Sequence, residues 1–546
     1  MVKKLILFIL GLSGLFVFIF LFEQTFPTAS IDLRLNRIQA QQKAREYLES
    51  LGYDLSEYHS SVVFGGDERK FVFLEKCLGL LDANRMIKKD IPIWSWNVRF
   101  FKELEKKGFT VKVNPIDRID GFQHHLKDNA PGDNLSQDKA KKLVLQFLMD
   151  NQIIVKDYEL IESSSIKREN RTDHHLVWKK IGSELSWTDE GKEGKGMVRL
   201  SVDVYGSRIG GFKAYFWTPE VFNRYIRKLF SEGHFLALIS SFFYMLLYVC
   251  AIIMFIISFR EESVRFRLML ALALLIGIPN VLNLLNSFPL IKAGYDTKVN
   301  FFVYYGTQFI GSLKGIINHI IVIIIVFCGG SFIAKKIYNE RVRGLFRILE
   351  GKSITRSMQN EILGGYVFAF MVLGFVTLFY FSGMKYGNIW VFPSTRYSNI
   401  LGTWCPFLLP LSASLIAAVS EEFIFRLFAI SFLKKVFRFT ILAVLVPSVI
   451  WAFAHSNYAV FPIYTRGIEL TIVALAFSFV FLRYGILNCI VAHYVIDAVL
   501  FSIPLLRSSN IYFLISGIIV ILLAALPAGL SVILNTTNKG AQKGRE

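Results

Sequence analysis

The chain has 546 residues, of which 53% are hydrophobic and 19% are charged, and its mean hydropathy is +0.45. It carries 61 Lys and Arg residues against 42 Asp and Glu residues, which gives a formal net charge of +19. This composition excludes a disordered protein and argues against a wholly soluble one. The apolar residues gather in a short N-terminal run and again from about residue 235 onward. The chain is therefore predicted to be a multi-pass membrane protein.

The basic residues lie mostly at the ends of apolar segments rather than along one stripe. Such a distribution is typical of residues that orient a protein in a membrane, and it argues against nucleic-acid binding. Of the five cysteines only Cys77 lies outside an apolar segment. The polar part of the chain therefore cannot form a disulfide framework.

An apolar run of about 18 residues follows Lys3 and Lys4 at the N-terminus. No small-residue cleavage site follows it, so we interpret residues 1–23 as an uncleaved transmembrane anchor. Residues 24–233 then form the only long polar stretch, with mixed helical and alternating patterns.

A weak internal duplication divides this polar stretch. The sequence DRIDGF at 117–122 matches SRIGGF at 207–212, and a helical segment lies upstream of each. The offset of 90 residues predicts two α+β modules of similar size. The pattern resembles the paired PepSY-like modules found outside bacterial membranes.

The rest of the chain consists of successive apolar helices, which together with the anchor predict ten spans. The predicted fold class is mainly α: a polytopic transmembrane helical bundle with an extracytoplasmic α+β domain between spans 1 and 2. Residues 234–359 are predicted to be transmembrane helices without an assigned role, and residues 536–546 are predicted to form a cytoplasmic tail. The nine spans after the anchor are placed near 235–258, 268–288, 314–333, 363–382, 404–432, 439–456, 468–482, 486–503 and 511–533.

Charge asymmetry predicts the orientation of these spans. With a cytoplasmic N-terminus, the cytoplasmic segments carry 19 Lys and Arg residues against 7 in the short outside loops. Basic residues favour the cytoplasmic side. Both termini are therefore predicted to be cytoplasmic and residues 24–233 extracytoplasmic, in a bacterial cell membrane.

Charged residues within apolar helices are costly and are functional candidates by default. The run EEFIFR places Glu422 and Arg426 four residues apart on one helical face, in the favourable order for an ion pair. Glu421 lies about 100° round the helix and is left without an in-helix partner. It is therefore a candidate general base. The alternative, a structural ion-pair cluster that holds the bundle together, fits these three residues equally well.

Two further apolar helices carry histidines. A single intramembrane residue such as His455 is more often a helix-to-helix hydrogen bond than a catalytic group. His493 and Asp497 are four residues apart on one face, so the carboxylate can orient the imidazole or both can bind one ion. Counted from the nearest cytoplasmic basic residues, these groups and Glu421 lie about 15–25 Å deep. This shared depth favours a functional site over scattered structural residues.

Three motifs, EEFIFR, FAHSN and HYVID, follow one another in this order along the apolar helices. They resemble the motifs of the CAAX-processing and bacteriocin-processing (CPBP, CAAX prenyl protease 2-like) intramembrane endopeptidases. The resemblance covers about residues 360–535, which would form the protease core. It implies a peptidase of the glutamic type that acts on a membrane-associated protein or peptide.

The resemblance also implies roles for single residues. Glu421 would be the general base that activates water, and His455 would help to hold and polarise that water. His493 and Asp497 match the pair that stabilises the oxyanion. The residues implied to support this geometry are Glu422 and Arg426.

Two residues depart from the family's pattern. Trp451 stands where the second motif usually has Phe, which an aromatic packing site could tolerate. Asp497 stands where the best-understood prenyl-protein proteases have Asn. An ionised carboxylate would repel an oxyanion, so Asp497 must be protonated, must orient His493 or must bind a metal. The zinc alternative therefore stays open, with Glu421, His455, His493 and Asp497 as the ligands.

Two other function classes stay open at this point. The same fold could serve a non-proteolytic peptide-immunity or membrane receptor protein. Intramembrane Glu, His and Asp residues also build the ion relays of coupled transporters. In the leading interpretation, the extracytoplasmic domain recruits, inhibits or filters the substrates of a protease.

Overall fold

The computed structural model describes residues 2–89, 91–189, 191–261, 265–391, 397–458 and 460–543. A long apolar helix opens this part of the chain and a mixed α/β region follows it. Helices α2 and α5 each precede a run of strands. The elements of this first half are α1 (Val2–Thr25), α2 (Arg37–Ser50), β1 (His59–Gly66), α3 (Glu68–Leu78), α4 (Leu80–Lys89), β2 (Trp94–Phe101), β3 (Gly108–Asn114), β4 (Arg118–His125), α5 (Gln137–Asp150), β5 (Tyr158–Lys167), β6 (Thr172–Lys180), β7 (Leu185–Asp189), β8 (Lys192–Tyr205) and β9 (Arg208–Trp217).

These nine strands form one antiparallel sheet in the order β1-β2-β3-β4-β9-β8-β6-β5, with β7 paired to β8. The two copies of the repeated motif lie on β4 and β9, which pair at the centre of the sheet. Phe122 of one copy is in register with Phe212 of the other. Each half of the sheet thus follows one helix and ends at the central pair. The assignment of the halves to PepSY-like modules stays a prediction.

The second half of the chain is almost entirely helical, with one short strand pair. Its elements are α6 (Glu220–Arg260), α7 (Phe266–Asn286), α8 (Phe288–Ala293), α9 (Phe301–Leu349), α10 (Arg356–Tyr386), β10 (Trp390–Val391), α11 (Tyr397–Leu401), α12 (Leu408–Glu421), a π-helical segment (Glu422–Ile430), α13 (Ser431–Phe437), α14 (Thr440–Phe453), β11 (Val460–Phe461), α15 (Thr465–Tyr484), α16 (Ile486–Leu506) and α17 (Ile511–Lys543).

Eight helices in the described part of the chain are long and apolar enough to cross a membrane, so the protein is a multi-pass membrane protein. They are α1, α6, α7, α9, α10, α15, α16 and α17. The two other predicted spans are present as shorter elements. The span predicted at 404–432 is divided by the π-helical segment, and the one predicted at 439–456 is a helix of only 14 residues, α14. The count of ten therefore stays a prediction.

Two predicted boundaries fall inside continuous helices. Helix α6 runs for 41 residues, so residue 233 lies within a helix that joins the sheet to the bundle. Helix α17 continues to Lys543 and includes most of the predicted tail. Residues 544–546 of that tail lie outside the described residues. Apolar periodicity alone could not predict these extensions. A helix can continue into polar residues beyond the apolar stretch, because the backbone hydrogen bonds are the same.

Helix α1, the predicted anchor, packs against the other helices of the bundle. Helices α1 and α10 cross where Gly14 meets Gly374, and a Cβ atom added at Gly374 would lie 2.4 Å from the Cα atom of Gly14. Small residues let two helix backbones approach closely in this way. The crossing places the aromatic side chains of the last turns of α1 beside the other helices.

Helix α3 of the sheet region carries a buried carboxyl group, Glu75, which is 7% exposed. Burial raises the pKa of Glu75 to about 8, although the Val391 backbone and Lys76 oppose the effect. The folded state therefore keeps a proton that the unfolded state, with an ordinary carboxyl pKa of about 4.5, releases.

This difference predicts a pH-dependent stability. Between about pH 4.5 and pH 8, the wild type is expected to lose about 1.4 kcal/mol of unfolding free energy per pH unit relative to Glu75→Gln. The amide cannot ionise, so it lacks this dependence. Thermal unfolding of the two purified proteins at pH 5, 6.5 and 8 measures it. Parallel pH profiles would show that Glu75 is ionised in the folded protein.

Candidate active site

The EEFIFR motif lies where an α-helix changes into a π-helix. Helix α12 ends at Glu421, and the π-helical segment begins at Glu422 with all nine of its residues buried. π-helical turns are rare and occur frequently at functional sites. The change leaves the two adjacent acids in different surroundings: the Glu421 side chain is 26% exposed, and the Glu422 side chain is completely buried.

Glu422 lies at the centre of a buried charge network. Arg426 Nη1 donates to Glu422 Oε1 at 3.1 Å, as the spacing of the motif predicts. His493 Nδ1 donates to the same oxygen at 2.9 Å. The Arg426 guanidinium also lies 4.8 Å from the centre of the Trp451 ring. Glu422 thus connects the first motif to the third, and its charge is compensated from two sides.

Glu421 lies at the edge of this network and is held by Trp451. The indole Nε1 of Trp451 donates to Glu421 Oε2 at 2.5 Å. His493 Nε2 lies 4.0 Å from the same oxygen. The sequence interpretation treats Trp451 as a packing substitute for Phe and misses this hydrogen bond. The sequence does indicate such a bond, because the indole N–H of a buried tryptophan usually finds a hydrogen-bond acceptor.

His455 lies in the turn just after α14, which ends at Phe453, and not within the helix that the sequence predicts. Its Nδ1 atom is 2.7 Å from the backbone oxygen of Trp451. Since a carbonyl oxygen only accepts, Nδ1 carries the proton, and a neutral His455 has Nε2 as its acceptor. The ring centres of His455 and Trp451 are 5.2 Å apart.

His493 and Asp497 share one face of α16, as their spacing predicts. The distance between His493 Nε2 and Asp497 Oδ2 is 3.6 Å, which is too long for a hydrogen bond. The two groups lie at ion-pair distance, and the expectation that Asp497 orients the imidazole stays a prediction. Glu422 orients the imidazole, because this carboxylate already accepts from Nδ1.

All four predicted catalytic residues line one cavity of about 650 Å³. They are Glu421, His455, His493 and Asp497. The two supporting residues, Glu422 and Arg426, lie buried behind its wall. Much of the remaining wall is apolar and comes from α1, α10, α15 and α16, with Phe18, Phe22 and Phe26 at the α1 side. A largely apolar cavity with a few convergent polar groups is typical of a ligand or active site.

Elements outside the bundle also contribute to this wall. Glu68 of α3 and Phe230 of α6 line the cavity, as do Val391 and Val460 of the short strand pair. Strands β10 and β11 pair through Trp390 with Phe461 and Val391 with Val460. The sheet region therefore packs over the same space that the motifs line.

Residues 403–499 match the family described as type II CAAX prenyl endopeptidase Rce1-like. This segment is Rce1-like. The match confirms the resemblance carried by the three motifs and includes all six predicted site residues. It supports a membrane protease. No curated protein and no solved structure shows significant similarity to the chain.

A second polar cluster, between the Rce1-like segment and helix α10, is one that the sequence did not predict. Arg466 Nη1 donates to Glu469 Oε2 at 2.6 Å, and the Tyr380 hydroxyl donates to the same oxygen at 3.1 Å. All three residues line the cavity. The count of basic residues that predicts the orientation treats Arg466 only as part of a loop. A basic and an acidic residue three positions apart at the start of an apolar helix nevertheless indicate an ion pair along that helix. The cluster fixes a guanidinium on the wall of the cavity.

The zinc alternative requires ligand atoms of the Rce1-like segment to converge on one point. In the described residues, no group of three or more His, Cys, Asp or Glu side chains is arranged to hold a metal ion. Trp451 already donates to one oxygen of Glu421. The side chains as arranged do not fit a zinc ion, and no step below is routed through one.

Proposed function

We propose that the protein is an intramembrane endopeptidase that hydrolyses a peptide bond in a membrane-associated protein or peptide. The observation that carries this proposal is that Glu421, His455, His493 and Asp497, all from the Rce1-like segment, line one cavity. A structural ion-pair cluster accounts for Glu422 and Arg426. It does not account for a partly exposed Glu421 opposite two histidines.

In the proposed reaction Glu421 is the general base. Trp451 donates to Oε2, so Oε1 is the oxygen that takes a proton from the attacking water. The water oxygen forms a bond to the carbonyl carbon, and His455 Nε2 helps to hold that water. The tetrahedral intermediate collapses when the C–N bond breaks, and Glu421 returns its proton to the leaving amine. The carboxylate is then regenerated.

His493 is the residue proposed to stabilise the oxyanion. Its Nδ1 donates to Glu422, so an imidazolium at this position offers Nε2–H to the developing negative charge. Asp497 Oδ2 lies 3.6 Å from Nε2. A carboxylate there balances the charge of the imidazolium, and Asp497 need not donate to the oxyanion itself.

We further propose that both termini are cytoplasmic, in a bacterial cell membrane, and that residues 24–233 are extracytoplasmic PepSY-like modules. The distribution of Lys and Arg supports this orientation. The outer region contributes Glu68 to the cavity wall, which supports a role in recruiting or filtering substrates.

A comparison of membrane proteomes tests the proposed activity. Cells that carry the wild type are expected to show peptide termini that disappear in cells that carry His455→Ala. The measurement is mass spectrometry of N-terminally labelled peptides, with the two proteins at equal level in the membrane. Identical termini in both strains would favour the non-proteolytic receptor on the same fold.

The same experiment examines metal dependence. Wild-type membranes treated with a zinc chelator are expected to keep producing these termini, because the four side chains do not converge as metal ligands. Loss of the termini with the chelator, and their return with added zinc, would overturn the glutamic mechanism in favour of a metalloprotease.

A further inference from the structure

The sheet region contains a second cavity, of about 500 Å³, between the sheet and the start of α3. Most of its lining is polar. The charged residues that line it are Asp67, Glu68, Arg69, Lys70, Lys112, Asp120 and Lys213. The peptidase proposal uses none of the four cations in this set.

Two of the lysines lie in one row across the centre of the sheet. Lys112 of β3 is in register with Gly121 of β4, and Gly121 is in register with Lys213 of β9. Residues in register on neighbouring strands share a face of the sheet. Strands are spaced about 4.8 Å apart, so the two lysine backbones lie roughly 10 Å apart with no side chain between them.

Gly121 is required for this arrangement. A Cβ atom added there would lie 2.5 Å from the backbone oxygen of Phe212 and 3.1 Å from the Cα atom of Lys213. Gly121 also belongs to the repeated DRIDGF motif, which the catalytic cavity does not use. The glycine therefore permits the close approach of β4 and β9 that places the two lysines in one row.

The acids around the cavity are largely matched already. Asp67 Oδ2 pairs with Lys70 at 2.9 Å, and Asp120 Oδ1 pairs with Arg118 at 2.7 Å. In the net charge of the lining, the negative charge of the remaining acid, Glu68, is offset by the positive charge of Arg69. Among the described residues, neither Lys112 nor Lys213 forms an ion pair.

The two lysines experience each other's charge. Loss of hydration, together with repulsion from Lys112 and Lys70, lowers the pKa of Lys213 to about 8, although Asp67 opposes the shift. Burial also lowers the pKa of Lys112, with Lys70 contributing and with Asp67 and Asp120 opposing the shift. Neither lysine has a carboxylate from the described part of the chain within ion-pair distance, so the neighbouring ammonium groups repel one another, and an anion placed between them reduces that repulsion.

We propose that this cavity binds a phosphate group between Lys112 and Lys213, with Lys70 at its wall. A phosphate monoester carries a charge of about −1.5 to −2 at neutral pH, which matches two ammonium groups, and its oxygens can accept from several donors at once. The phosphate belongs to a lipid headgroup or to a free phosphate ester. Glu68 and Phe230 line both this cavity and the catalytic one, so the bound phosphate would lie next to the catalytic cavity.

The first test is titration of the full-length protein in detergent with inorganic phosphate, by isothermal calorimetry at constant ionic strength. The variant Lys112→Gln/Lys213→Gln is expected to bind phosphate at least about 10-fold more weakly than the wild type, because two charge-assisted contacts are lost. The matched control is Lys141→Gln/Lys142→Gln, which removes two exposed charges from α5 and is expected to bind like the wild type. Thermal unfolding verifies that both variants are folded.

The second test identifies the source of the phosphate. Native mass spectrometry of the detergent-solubilised protein compares phosphatidic acid, a phosphate monoester, with phosphatidylcholine. A preference for phosphatidic acid that the lysine variant loses indicates a lipid headgroup. Lysine-dependent binding of inorganic phosphate without a lipid preference indicates a free phosphate ester. Equal binding by the wild type and the lysine variant in both tests would overturn the site, and this outcome is independent of whether the protein is a peptidase.

Discussion

Replacement of Glu421 by Gln is expected to abolish peptide cleavage while the protein still accumulates in the membrane. The amide keeps the size of the side chain and can still accept from Trp451 Nε1, so the packing of the cavity wall is preserved. It cannot take a proton from water. General-base catalysis contributes about 10²–10⁴-fold to a rate, and a loss of that size would place the termini below detection.

The measurement is the yield of wild-type-specific peptide termini per amount of protein in the membrane. Glu340→Gln is the matched control, because it makes the same chemical change at an exposed position on α9, where Glu340 pairs with Arg343. The control is expected to cleave like the wild type. Cleavage by Glu421→Gln at the level of the control would exclude Glu421 as the base.

The second large effect is expected for Arg426→Ala, which should reduce both accumulation and cleavage. Arg426 is 1% exposed and Glu422 is 0% exposed, so the substitution leaves a buried carboxylate without its cation. Removal of one partner of a buried ion pair costs about 3–5 kcal/mol. Glu422 also accepts from His493, so the disturbance reaches the proposed oxyanion site.

A double variant separates folding from activity. Glu422→Gln/Arg426→Met removes both charges and keeps similar side-chain volumes, so accumulation is expected to recover. Activity is expected to stay low, because His493 Nδ1 loses its ionised acceptor. Protein level in the membrane and the yield of termini are measured for both variants, with Arg343→Ala as an exposed control. Normal accumulation and cleavage by Arg426→Ala would contradict the role assigned to the pair.

Sequence-local features were predictable because they depend on spacing along one helix. The 3.6-residue period places Glu422 and Arg426 on one face whatever the rest of the chain does, and the structure shows that pair. The apolar segments predicted a multi-pass helical protein for the same reason. The order of the three motifs was enough to identify the Rce1-like segment.

The sequence by itself thus determined the class of protein, its family resemblance and four of the polar side chains that meet at the cavity. Only the tertiary structure decided which of them contact one another. The partner of His493 is Glu422, 71 positions away, and the donor to Glu421 is Trp451, 30 positions away. Helix crossings and the π-helical segment set these contacts, and the lysine row likewise depends on strand register. Spacing fixes neighbours within one element, whereas packing between elements fixes neighbours across the chain.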